Sequence, residues 1–272
     1  MPPSEELSSA DAEVFETFVV PQYLSLFGEL ALEMLVSGPE ARVLHVGCRT
    51  GYPDSKVLER VPRAELIALD GSLAAIERAR QNARAAGYDN IDYRHSEGLP
   101  GELEPGIFTH ALCLHPILDP EARSELFSAM RWLLCPGGQA VIALPLRGSF
   151  QELVDLFREY ALKYDDESFA KELENSLAAR PTLETLSDQL ESAGLDDVDV
   201  EVRQVTLQFD SGRAFVEAPA SRLLILPEVR SWMPLTDTSR ALEYVREAID
   251  KYWSESKLEL SINVGAASAR CP

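Results

Sequence analysis

Two glycines, Gly47 and Gly51, bracket Cys48, Arg49 and Thr50 directly after the apolar run Val43 to Val46. A glycine-containing turn between a strand and a helix offers free backbone amides and the positive end of the helix, which suits a polar or anionic ligand. The spacing narrows the chemistry. A dinucleotide loop needs G-x-G-x-x-G and a phosphate loop needs G-x-x-x-x-G-K-[ST]; Gly47-Cys48-Arg49-Thr50-Gly51-Tyr52 satisfies neither. Three residues near such a loop could accept a proton: His115, which precedes Pro116 after the run Phe108 to Leu114, and Tyr52 and His95 at the rim. Each has a plain structural alternative, and His115 reads equally as a hydrogen-bonded strand-end residue. His110 reads as a satisfied core or edge histidine, and Trp132, Trp232 and Trp253 as packing residues. The four cysteines, Cys48, Cys113, Cys135 and Cys271, lack the CxxC pairing of metal sites and read as free thiols, so no metal is expected.

The elements that would position these residues alternate from residue 41 onward, short apolar runs with longer amphipathic segments, the pattern of βα units and a parallel sheet. The strands are expected at Val43 to Val46, Glu65 to Leu69, Ile91 to Tyr93, Phe108 to Leu114 and Gln139 to Leu144. Ser72 is placed to cap a helix that ends at Gly87, with Leu73, Ile76, Ala79, Ala83 and Ala86 on one stripe. Asp119 and Pro120 open a second helix, with Leu126, Met130, Leu133 and Leu134 facing inward and Pro136-Gly137-Gly138 ending it. Residues 149–179 and 213–253 read as helical cap insertions over a ligand site, and residues 1–40 as amphipathic helices packed on a core that spans 41–272. Val198 to Phe209 reads as an edge strand, and Leu258 to Val264 as a last strand antiparallel to the rest.

Val43-Leu44-His45-Val46-Gly47-Cys48-Arg49-Thr50-Gly51 is similar to the motif V-L-D-x-G-C-G-T-G of class I S-adenosylmethionine-dependent methyltransferases. Ile67-Ala68-Leu69-Asp70-Gly71-Ser72 resembles the family's second strand, where the acid at the strand tip holds the ribose hydroxyls. Leu99-Pro100, Phe108, Leu118 to Ala122 and Leu134 to Gly138 resemble its later landmarks, so the likeness covers roughly residues 40–272. The resemblance implies a Rossmann-like α/β fold with a mostly parallel seven-stranded sheet. It also implies S-adenosylmethionine as cofactor, with Gly47, Arg49, Gly51, Asp70 and Glu97 as the residues in contact with it.

Four positions depart from the family. His45 stands in place of an acid, Arg49 in place of the middle glycine, His95 or Ser96 where an acid reads the adenine, and Thr109 in place of the acid after Phe108. A guanidinium about 5 Å from a sulfonium, at an effective dielectric of about 20, costs roughly 3 kcal/mol, or about a hundredfold in affinity. On that reading the native protein binds the cofactor weakly, and Arg49→Gly improves binding. Arg49 could instead swing to solvent, pair with an acid such as Asp54, or recognise an anionic ligand.

The formal charge of −20, from 45 acidic and 25 basic residues, disfavours a phosphate backbone as partner. No run approaches the roughly 20 apolar residues of a membrane span, so the expectation is a cytoplasmic protein without nucleic-acid or membrane partners. Two functions remain open. One is a methyltransferase-fold protein with a degenerate cofactor site, a pseudoenzyme that binds a small ligand or a protein with a basic surface. The other is an active methyltransferase on a small molecule.

Overall fold

Each short parallel strand must be followed by a crossover that returns the chain to the same end of the sheet, and capped amphipathic helices supply those crossovers. The computed structural model describes residues 6–38, 41–61, 63–96, 98–232 and 238–272. Two compact units are traced by the chain: Met1–Leu144, Thr182–Val202 and Gly265–Pro272 form one, Pro145–Pro181 and Arg203–Val264 the other.

The first unit begins with helix α1 (Ser9–Val14), a π-wound segment (Phe15–Leu24) and α2 (Ser25–Met34). It continues with β1 (Arg42–Val46), α3 (Asp54–Arg60), β2 (Glu65–Asp70), α4 (Leu73–Ala86), β3 (Ile91–His95), β4 (Phe108–Leu114), α5 (Pro120–Leu133) and β5 (Leu134–Pro145). The chain then forms α6 (Gln151–Tyr164), α7 (Glu167–Ala179), α8 (Leu183–Ser192), β6 (Asp196–Phe209), α9 (Gly212–Glu217), α10 (Leu226–Trp232), α11 (Thr238–Tyr252) and β7 (Leu258–Arg270). The seven strands lie in the order β3-β2-β1-β4-β5-β7-β6. β1 pairs in parallel with β2 and β4, β2 with β3, and β4 with β5. β7 runs against β5: Gly137 N–H donates to Cys271 O, Cys271 N–H to Gly138 O, and Gln139 Nε2 to Ser268 Oγ. The order therefore reverses between β1 and β4, and the loops that follow those two strands flank the switch point where α/β sheets take their ligands.

The capping residues act as their types predict. Ser72 Oγ accepts from Ala75 N and Gly87 closes α4 at φ 80°; Asp119 accepts from Ala122 N with Pro120 behind it. The stripe of α4 differs at its ends: Leu73 is half exposed, and Ala75, Ile76, Ala79 and Ala83 are the buried residues. β5 starts five residues before the expected Gln139, and Pro136-Gly137-Gly138 lie inside it. Leu134 pairs with Phe108, a register shift before His110 absorbs the extra residues, and the C-terminal strand supplies Gly137 with its partner. β6 occupies the sheet edge, and its Asp196, Asp197, Asp199 and Glu201 are exposed, as charges that discourage further pairing should be. Trp132 is 46% exposed rather than packed inside, and Trp232's side chain lies outside the described residues.

In the second unit α6 buries Leu153, Val154, Leu156, Phe157, Tyr160 and Ala161, and Phe169 of α7 packs on Phe157 and Tyr160. A buried ion pair, Arg180 Nε to Glu228 Oε1 at 3.1 Å, joins the end of α7 to α10, and the same guanidinium lies over the Phe150 ring. Among the described residues no helix is long and apolar enough to cross a membrane.

Candidate functional site

The loop after β1 turns back on itself because Gly47 and Gly51 take φ of 69° and 93°, a region that favours glycine. Its amides are anchored to the neighbouring strand: Gly47 N–H and Cys48 N–H both donate to Leu69 O. A Cβ at Gly47 would meet nothing within 4 Å, so the loop faces open space there. A Cβ at Gly51 would fall 2.7 Å from the Tyr93 hydroxyl and 3.2 Å from Ala79 Cβ. Asn82 of α4 holds the turn from behind, donating to Thr50 O.

Asp70, at the tip of β2, is buried and is joined directly to this loop. Its Oδ2 accepts Arg49 N–H at 3.0 Å and its Oδ1 accepts Ser72 N–H at 2.8 Å. Arg49 itself adopts φ 49°, the backbone conformation for which its family-like glycine would be suited, and its side chain is half-buried. Burial raises the Cys113 thiol to about 12 and pushes Cys48 well up, with the Arg49 charge opposing the shift in both.

Asp54 is committed to His45, the residue that replaces the family's acid. His45 Nδ1 stands 2.6 Å from Asp54 Oδ1, and both side chains are buried. Burial, and after it Asp54, drives the Tyr93 phenol far above its ordinary range. Among the described residues five buried polar atoms of this neighbourhood have no hydrogen-bond partner: Glu16 Oε2, His45 Nε2, Thr50 Oγ1, the Tyr52 hydroxyl and Asp54 Oδ2. Buried polar groups are normally satisfied, and each orphan costs about 1–3 kcal/mol, so a cluster of them beside an open loop marks the place of a polar ligand.

His115 follows β4 on the other side of the switch point. It holds φ 50°, its N–H donates to Ala143 O, and its Nε2 lies 2.8 Å from the hydroxyl of Tyr23 in the π-wound segment. Phe27 and Tyr23 enclose its ring at 4.9 and 5.3 Å between centroids. A buried, strained histidine at a strand tip is a site feature of the kind that folding alone does not favour. The other two proton acceptors fare differently. Tyr52 packs its ring against Gly28, where a Cβ would not fit, and burial with Glu29 nearby pushes its phenol up to about 12, so it holds its proton at neutral pH. His95 is exposed at the end of β3, level with Asp70, with Nε2 3.0 Å from Gly71 O.

Thr109 is placed at the wrong end of its strand to touch a ligand. It exchanges hydrogen bonds with the backbone of Arg42, five residues from Gly47, or about 16 Å along a strand. His110 is partnered on both nitrogens, by Thr109 Oγ1 and Val36 O. Glu97 lies outside the described residues. The four cysteines are free, and among the described residues no group of three His, Cys, Asp or Glu could hold a metal. Sequence reasoning missed Glu16, Tyr23 and the His45–Asp54 pair.

Residues 43–138 match the family model described as methyltransferase domain. The tRNA1(Val) (adenine(37)-N6)-methyltransferase of Vibrio campbellii is 32% identical over 88 residues, which is 32% of this chain and 36% of that protein. The protein-L-isoaspartate O-methyltransferase of Cellvibrio japonicus is 28% identical over 144 residues, 53% of this chain and 59% of that one. The chain thus spans about a third to three-fifths of the curated relatives it matches. A Haemonchus contortus phosphoethanolamine N-methyltransferase 2, solved with S-adenosylhomocysteine, superposes with a TM-score of 0.59 at 15% identity, covering 98% of this chain and 59% of that one. The chain thus has the fold of class I methyltransferases, and residues 43–138, around the β1 loop, match a methyltransferase domain.

Proposed function

We propose that this protein is an active S-adenosylmethionine-dependent methyltransferase acting on a small molecule. The observation that carries the reading is the cluster of orphaned buried polar atoms beside the open face of Gly47, with the Asp70 carboxylate at the next strand tip. Those residues fit the cofactor: Asp70 supplies acceptors for the ribose hydroxyls, and the loop from Gly47 to Gly51 supplies the space and polar atoms for the amino-acid end. Bound there, S-adenosylmethionine supplies an electrophilic methyl group, so the protein needs to position the acceptor and take up at most one proton.

His115 is the residue suited to that proton. Its Nε2 is already in hydrogen-bond contact with Tyr23, and the tip of β4 lies directly across the switch point from the β1 loop. The charges support cofactor binding more than a count of motif residues does. A guanidinium about 5 Å from a sulfonium costs roughly 3 kcal/mol, but a carboxylate at the same distance offsets it. Asp70 accepts the Arg49 N–H, and Asp70 and Asp54 both act on Cys48 against the Arg49 charge. The net charge of −20 favours a small acceptor over a nucleic acid.

The second reading, a cofactor site too degenerate to work, is favoured by Arg49 alone, a bulky cation in a half-buried position. Incubation with methyl-tritiated S-adenosylmethionine and a cell extract separates the two. Label entering the low-molecular-weight fraction, and reduced at least tenfold by His115→Ala, supports the enzyme; no label above a boiled control supports the degenerate site.

A further inference from the structure

The start of β5 lies against the end of β7, and each strand brings a cysteine there. Cys271 N–H donates to Gly138 O and Gly137 N–H to Cys271 O, so Cys271 stands opposite the glycine pair that follows Cys135 and Pro136. Its thiol turns back along β5 and donates to Leu134 O at 3.5 Å. That carbonyl belongs to the peptide bond joining Leu134 to Cys135, and standard trans-peptide dimensions put its oxygen about 2.8 Å from the next Cα. Cys271 Sγ therefore lies within roughly 6 Å of Cys135 Cα, and the Cys135 χ1 rotamer sets how closely the two sulfurs approach. The two thiols differ in access. Cys135 is half-buried and Cys271 buried. Burial pushes the Cys271 thiol up, Arg131 opposes the rise, and a charge on Cys135 adds to it. Cys48 and Cys113 are also buried, and they belong to the tips of β1 and β4, at the other end of the sheet.

We propose that Cys135 and Cys271 form a redox modification site, a dithiol that low-molecular-weight disulfides convert into a covalent bond between β5 and β7. The half-buried Cys135, as thiolate, attacks one sulfur of R–S–S–R; a mixed disulfide forms, and the RS− released takes up a proton as RSH. Cys271 then gives up its proton and attacks the Cys135 sulfur, so that the Cys135–Cys271 bond forms and a second RSH leaves. Two protein thiols are oxidised, and one small disulfide is reduced to two thiols. The bond ties together positions more than 130 residues apart in the chain, which constrains the unfolded state strongly. It closes away from the ligand loops: Leu134 pairs with Phe108 at the starts of β5 and β4, whereas the switch-point loops follow the ends of β1 and β4.

The test treats native protein, Cys135→Ser and Cys271→Ser with glutathione disulfide and reads the intact mass and the unreduced tryptic peptides. Native protein should end two hydrogens lighter, without retained glutathione, and with the peptide Trp132 to Arg147 joined to the peptide that begins at Cys271. Cys271→Ser should stop with one glutathione on Cys135. Cys135→Ser should react about tenfold more slowly than native or slower still, because its remaining thiols are buried. Oxidised native protein should unfold at a higher guanidinium concentration than reduced native protein, a shift that dithiothreitol reverses and that neither variant shows. Native protein that stays reduced, or that keeps glutathione on Cys135, would overturn the assignment. So would a bond involving Cys48 or Cys113, or a Cys135→Ser protein that reacts as fast as native.

Discussion

Arg49 holds a left-handed backbone conformation that costs an L side chain about 1–2 kcal/mol relative to glycine. Removing the side chain therefore relieves strain while adding chain entropy to the unfolded state, about 0.5–1 kcal/mol. Arg49→Gly should melt at the native temperature or slightly above it, whatever it does to ligand affinity, and thermal unfolding followed by circular dichroism reads this directly. Gly51 presents the opposite case. At φ 93° a side chain is strained, and its Cβ would press on the Tyr93 hydroxyl and Ala79. Gly51→Ala should destabilise by about 2 kcal/mol or more, measured by denaturant titration. His110 gives a pH signature. Burial lowers its pKa below the ordinary value of about 6.5, so in the folded state it resists protonation. Its contribution is complete above about pH 6.5 and is lost as pH falls, because the unfolded chain then binds the proton more readily. Unfolding free energy measured from pH 7.5 down to about 5.5 should fall more steeply for native protein than for His110→Gln; equal slopes would show that His110 is not the group responsible.

The elements were readable where local chemistry and long-range pairing agree. Ser72 with Gly87, and Asp119 with Pro120, mark the ends of α4 and α5 in the sequence and cap them in the structure. The start of β5 was not readable, since Pro136-Gly137-Gly138 looks like a helix stop and becomes strand only because Cys271, more than 130 residues away, completes the pairing. The same limit applies to the site. Gly47, Gly51 and Asp70 follow from strand-tip motifs. The His45–Asp54 pair, Glu16 and Tyr23 depend on how the amino-terminal helices and α3 meet the sheet, and no spacing within one element shows that. Within the second unit, the Arg180–Glu228 pair tests how α7 and α10 are joined. Burial raises the Glu228 pKa, and Arg180 holds it down. Arg180→Ala leaves that carboxylate buried without its cation and should cost about 3–5 kcal/mol. The double variant Arg180→Met, Glu228→Leu should recover most of the loss in a denaturant titration.

On the scale of the whole molecule, the excess of acidic residues repels itself at low salt, and a net charge of −20 disfavours polyanions and favours a cationic ligand such as the sulfonium of the proposed cofactor. The parallel sheet brings the tips of β1, β2 and β4 to one end, and the buried orphaned atoms lie near the first of those tips. On the proposed function, those tips are the place for the cofactor and the residues there its polar partners. The most direct test is a calorimetric titration of native protein and Asp70→Asn with S-adenosylhomocysteine. The account predicts saturable one-to-one binding by native protein in the micromolar range, weakened at least tenfold by Asp70→Asn through the loss of a charged acceptor worth about 1.5–3 kcal/mol. A folded native protein that takes up no S-adenosylhomocysteine at millimolar concentration would contradict it.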